Sequence, residues 1–182
     1  MAHRGLLTVR LAAALVFAAA ALVPASALAG GGVPPVNPPP PPANHGGKAK
    51  IVDGLAVAPK SAPKRVKAVI AAANSIAKGH GYCMGGGHKN WSSRCYDCSG
   101  AISFALHAGG YLDYPEVSGD LAKWGVKGAG RWISVHANRQ HVFMMVAGRR
   151  FDTADTLGNG PGWADDIGAW ESSQHYAVRQ PA

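Results

Sequence analysis

Cysteine is scarce in this chain, with three among 182 residues. That is too few for a disulfide-dense scaffold. Acids are short as well: 10 Asp and Glu face 18 Lys and Arg, for a net charge of +8. Such a balance is commonly read as a nucleic-acid signature, so its placement along the chain has to be examined first. Apolar runs long enough to cross a bilayer, about 20 residues, are lacking throughout. What is present in quantity is apolar residues at 47%, which argues against wholesale disorder, together with 24 Gly and 13 Pro. The length suits one domain with extensions.

The first 29 residues read as a secretory signal. Arg4 and Arg10 supply a basic start, Leu11 to Val23 an uninterrupted apolar run, and Ala27-Leu28-Ala29 the small residues of a cleavage site. No Cys lies nearby to anchor a lipid. Secretion and no stable membrane insertion after processing are the expectation. Losing Arg4 and Arg10 lowers the net charge from +8 to +6.

Residues 30–60 read as a Pro/Gly-rich basic linker, and 61–182 as the folded domain. Gly30 to Lys50 holds seven Pro and five Gly without apolar periodicity, and its proline run favours an extended, semi-rigid spacer. Ile51 to Lys60 is transitional, with room for one short strand. Residues 48–67 carry six cations against Asp53, whereas residues 68–182 carry ten cations and nine acids. The excess charge is thus a cationic neck suited to anionic polymers, and no nucleic-acid-binding domain is indicated.

Ser61 is a plausible helix N-cap with Pro63 in the first turn, and Val66, Val69, Ile70, Ala73, Ile76 and Ala77 fall on one helical stripe ending at Gly79. A second helix is expected from Cys98 to His107. Strands are expected at Trp132–Val135, His141–Ala147, Arg150–Thr153 after a Gly148-Arg149 turn, and His175–Arg179. Helices first and paired strands after them indicate an α+β fold.

Cys98 stands in Tyr96-Asp97-Cys98-Ser99-Gly100, at the head of that second helix. Asp97 is a natural N-cap, which puts Cys98 at the first helical position. There the helix dipole favours a thiolate, and unpaired amides can bond a tetrahedral oxyanion. Taken by itself, a cysteine there reads sooner as a small buried hydrophobe. A nucleophilic Cys needs a base, and among eight His, His136 and His141 fall near strand ends. His141 is the better placed, because it opens the most apolar strand. The hairpin return brings Asp152 to the same edge, where an acid would orient the imidazole.

These residues resemble a known family. Tyr82 with Gly85-Gly86-Gly87, then YDCSGAISFALHAGG, then HVFMMVAGRRFDTA are similar to NlpC-type cell-wall peptidases, and the resemblance spans about Val66 to Arg179. It implies a papain-like fold, with a nucleophile-bearing helix packed on an antiparallel sheet. It also implies Cys98 as nucleophile, His141 as base and Asp152 as third polar residue. Asp97 and Ser99 would shape the substrate-binding side, and Tyr82 would line the pocket. The implied substrates are peptidoglycan stem peptides, commonly cut between D-Glu and the following diamino acid, with no metal or organic cofactor. The sequence departs from the family pattern in three places. Cys83-Met84 stands where Trp often precedes the glycines, the His141 to Asp152 interval is a residue short, and Phe143 replaces a small residue.

Other readings share the same residues. His80, Cys83, His88, Cys95 and Cys98 offer ligands for zinc, and Cys95-x-x-Cys98 fits a redox motif. A Cys83–Cys95 disulfide closing the Gly-rich loop would leave Cys98 as the free thiol. A non-catalytic wall-binding module, or an amidase or acyltransferase using the same Cys and His, would keep the fold. Trp91, Trp124, Trp132, Trp163 and Trp170 could stack on sugars, though dispersed Trp more often pack a core or its rim.

Overall fold

A computed structural model describes residues 47–154, 156 and 159–182. The expected signal at 1–29 and the proline run of the linker lie outside the described residues. Among the described residues no helix is long and apolar enough to cross a membrane.

Order begins earlier than Ser61. Strands β1 (Lys50–Val52) and β2 (Leu55–Val57) form an antiparallel hairpin. Its Asp53-Gly54 turn has both φ angles positive, at 50° and 77°, the geometry that Asp-Gly favours between two strands. The hairpin belongs to the folded body. Ala49 N–H donates to the Ala147 carbonyl at 2.9 Å, and Ala49 and Ala56 are buried in the core. Asn74 fastens it further: its side chain accepts from Ala56 N–H at 2.9 Å and donates to Ala56 O at 2.8 Å. The same Oδ1 accepts from the Trp163 indole at 2.8 Å.

Helix α1 (Lys64–Ile76) follows Pro63, which occupies the cap position with an extended ψ and no side-chain cap bond, so Ser61 is not the N-cap. The apolar stripe is buried as expected at Val66, Val69, Ile70, Ala73 and Ile76. Each Val or Ile fully removed from water contributes about 1.5–3 kcal/mol. Two short parallel strands, β3 (Gly81–Tyr82) and β4 (Cys95–Tyr96), flank the glycine loop and lead into α2 (Cys98–Ala108). α2 packs on α1 and buries Ala101, Ile102, Ala105 and Leu106.

After a short α3 (Ser118–Leu121), the chain builds β5 (Val126–Lys127), β6 (Ile133–Ala137), β7 (Val142–Val146), β8 (Arg149–Asp152) and β9 (Gly162–Ala164). A one-turn α4 (Ala169–Ser172) precedes β10 (Ala177–Gln180). The six strands form one antiparallel sheet in the order β5-β10-β6-β7-β8-β9. The β7–β8 turn is Ala147-Gly148, one residue earlier than expected, because Val146 pairs with Arg149. β6 and β7 are buried along their whole length, with α2 against β7. The fold is α+β, with the Cys98 helix packed on an antiparallel sheet as expected.

Candidate active site

The site is built where the N-terminus of α2 meets the start of β7. Asp97 caps α2 as expected, its Oδ1 accepting from Gly100 N–H at 2.7 Å. The same carboxylate holds the glycine loop, since Oδ2 accepts from Gly85 N–H at 2.9 Å. Gly100 allows that loop to lie against the helix: a Cβ there would sit 2.0 Å from the Gly86 carbonyl oxygen. The motif glycine is therefore required by close backbone approach. Cys98 follows the cap at the first helical position, half-buried with a free thiol.

Cys83 and Cys95 form a disulfide, so the glycine loop is covalently closed at its base. That removes both from any zinc set and leaves no Cys95–Cys98 redox pair. Cys98 is the one free cysteine of the three.

His141 is presented by a side-chain-braced turn. The Asn138 Oδ1 accepts from Gln140 N–H and His141 N–H, each at 2.8 Å, which fixes the entry to β7. The His141 Nε2 lies 2.9 Å from Asp152 Oδ1, close but off the ideal hydrogen-bond line. With Nε2 facing Asp152, Nδ1 is the ring nitrogen left for Cys98. Burial alone would lower the imidazole pKa, but hydrogen bonding to Asp152 and Cys98, together with their negative charges, raises it to about 10. Asp152 is fully buried, and its Oδ1 also accepts from Thr153 N–H at 2.6 Å and Ala154 N–H at 3.2 Å. The structure thus brings Cys98, His141 and Asp152 together.

The rival histidine is elsewhere. His136 lies inside β6, stacked on Phe143 with ring centroids 4.7 Å apart, and burial lowers its pKa to about 4. Phe143, the bulky departure from the family pattern, packs between this ring and Tyr176.

Asp97 and Ser99 are both buried. The Ser99 hydroxyl donates to Asp97 Oδ1 at 3.1 Å, and His88 Nε2 lies 3.0 Å from Asp97 Oδ1 and 3.1 Å from Ser99 Oγ. They form a wall beside the nucleophile, braced by His88. Tyr82 is exposed, its phenol pKa raised by partial burial and by the charges of Cys98 and Asp97, which places it beside the site. Met84, also exposed, lies against its hydroxyl.

Sequence reasoning did not find Arg150, Glu171 or Tyr176, and had Trp170 only as one of five Trp that could stack on sugars. The Trp170 ring lies edge-on to the His141 ring with centroids 5.4 Å apart, and Tyr176 is edge-on with centroids 6.5 Å apart. Arg150 and Glu171 are buried beside Asp152, and Arg150 pairs with both carboxylates. His141, Asp152 and Glu171 bring ligand atoms within 4.8 Å of one another, a spacing that could suit a cation. The Arg150 guanidinium already supplies the positive charge between the two acids, so the donors fit an ion-pair cluster rather than a metal site.

No protein-family profile matches the chain, and no curated protein matches it. Among solved structures, the chain is similar to the P60 domain of an antigen from M. avium subspecies paratuberculosis, at 22% identity and a TM-score of 0.49, over 64% of this chain and 94% of that one. It is also similar to a hypothetical invasion protein of Mycobacterium tuberculosis, at 22% identity and a TM-score of 0.47, over 74% of this chain and 68% of that one. The P60 domain is of the NlpC/P60 family, the one that the Asp97–Gly100 and His141 motifs resemble.

Proposed function

We propose that this protein is a secreted thiol endopeptidase acting on peptidoglycan stem peptides, at the bond between D-Glu and the following diamino acid. The observation that carries the chemistry is the His141 ring held between Cys98 and Asp152 at the head of α2. The substrate class rests on the motif resemblance.

In this reading the Cys98 thiolate attacks the scissile carbonyl, and the new oxyanion is met by the amides that open α2 ahead of Gly100, whose own N–H is taken by the Asp97 cap. His141 gives its proton to the leaving amine as the C–N bond breaks, leaving a thioester on Cys98. Water then attacks the thioester while His141 takes its proton, and the acid product departs with the thiolate restored. Asp152 orients the ring and stabilises its charged form. Tyr82, Asp97 and Ser99 shape the side on which the peptide lies.

The cationic residues 48–67 are proposed to contact anionic wall polymers. They lie on the hairpin and α1 rather than on a free neck, and some have partners within the fold. Lys48 pairs with Asp166, and the Arg65 Nε donates to Gly109 O at 2.7 Å while its guanidinium covers the Tyr111 ring.

Mass spectrometry of muropeptides digested by the mature protein tests the substrate. New termini at D-Glu and the diamino acid are expected. Cleavage of the sugar–peptide amide instead, or of no bond across several peptidoglycan types, would overturn the substrate assignment.

A further inference from the structure

Asp152 faces two cations at once. Its Oδ1 meets His141 and its Oδ2 lies 3.5 Å from Arg150 Nη1. A guanidinium keeps its charge at any working pH and binds a carboxylate well. Left to itself, Arg150 would compete with the imidazolium for the one Asp152 charge and oppose protonation of His141. Glu171 changes that balance. It sits 1% exposed on α4, with Oε1 against the same Arg150 Nη1. Gly168, just before α4, leaves room for this carboxylate, since a Cβ there would lie 2.3 Å from Glu171 Oε2.

We propose that Glu171 is a positioning residue that neutralises Arg150, so that the charge of Asp152 remains available to hold His141 protonated beside Cys98. The inference deepens the reading of His141 as the base, and it concerns His141 whatever the substrate. Cys98 from α2 and Asp152 from β8 act on His141 directly, Arg150 from β8 and Glu171 from α4 stand behind Asp152, and the Tyr176 phenol ahead of β10 and the Trp170 ring lie edge-on to the imidazole. Of these, Arg150 and Glu171 form an internally balanced pair. Removing one member changes the net charge facing Asp152, and removing both restores it.

The test is NMR titration of the His141 ring in mature protein labelled at histidine, which requires no substrate. Glu171→Gln keeps the shape and leaves Arg150 uncompensated, so His141 should bind its proton about tenfold more weakly, the effect expected of one nearby uncompensated charge. Adding Arg150→Met to that variant should return the proton affinity to within about threefold of wild type. A merely structural pair would instead be worse in the double variant. Unchanged titration in Glu171→Gln, or a double variant weaker than the single, overturns the proposal. Should Glu171→Gln not fold, Arg150→Met alone decides: His141 should bind its proton at least as tightly as in wild type, and weaker binding refutes the idea. Muropeptide digestion run in parallel separates the two claims, since a wild type that cleaves nothing overturns the substrate reading while the titration still stands or falls alone.

Discussion

The His141 imidazole and the Asp152 carboxylate meet at 2.9 Å, with the acid fully buried and the ring nearly so. Two Asp152-directed backbone amides, from Thr153 and Ala154, fix the carboxylate before the histidine is considered. The acid is therefore preorganised. Asp152→Asn keeps the shape and removes the charge. It should lower kcat by about a hundredfold or more, the range for losing support of a catalytic acid–base, with KM little changed. Steady-state kinetics on the cleaved muropeptide checks this, and wild-type kcat in the variant would remove Asp152 from the mechanism.

His136 gives the molecule a distinct acid sensitivity. Its folded pKa of about 4 lies below the ordinary 6.5 because burial disfavours the cation. The unfolded chain takes up this proton first as pH falls, so the associated stability is complete above 6.5 and is lost as pH falls through that interval to about 4. The loss amounts to about 3 kcal/mol. Thermal melts of wild type across that window should fall more steeply than those of His136→Phe. Parallel curves would contradict the buried, neutral assignment.

Gly100→Ala should destabilise the fold by about 1–3 kcal/mol, because its methyl would meet the Gly86 carbonyl oxygen and separate the glycine loop from α2. Gly119→Ala, where an added Cβ meets nothing within 4 Å, should be neutral or slightly stabilising. Denaturant midpoints measured side by side report the contrast. Equal behaviour of the two would deny the close approach.

Thiol counting tests the cysteine assignment. Native protein should react with one equivalent of reagent, mapped by peptide mass to Cys98, and reduced unfolded protein with three. Reaction at Cys83 or Cys95 in the native state would contradict the disulfide.

How much was legible in the sequence depended on the range of the interactions. Asp97 and Cys98 could be read because a helix cap is a local event, spelled by Asp just before an apolar helix. His141 and Asp152 could be read because they bracket one hairpin, whose register brings its two open ends together. The β1–β2 hairpin carried its own signal in Asp53-Gly54, but the basic, proline-rich surroundings drew that segment into the linker. Arg150, Glu171 and Tyr176 were beyond reach. α4 is a single turn with no periodicity to detect, and it meets β8 through one buried ion pair between residues far apart in sequence. Nothing near Glu171 in sequence announces that its partner is Arg150. Likewise, His88 braces Asp97 and Ser99 from the loop that the Cys83–Cys95 disulfide closes, a contact made across the folded loop.

The central claim is that Cys98 is the nucleophile. The most direct measurement is the turnover of one muropeptide by wild type and by Cys98→Ala, both shown to be folded by their melts. Wild type should cleave, and Cys98→Ala should show no product above the uncatalysed background. Cleavage by Cys98→Ala at the wild-type rate would contradict the account.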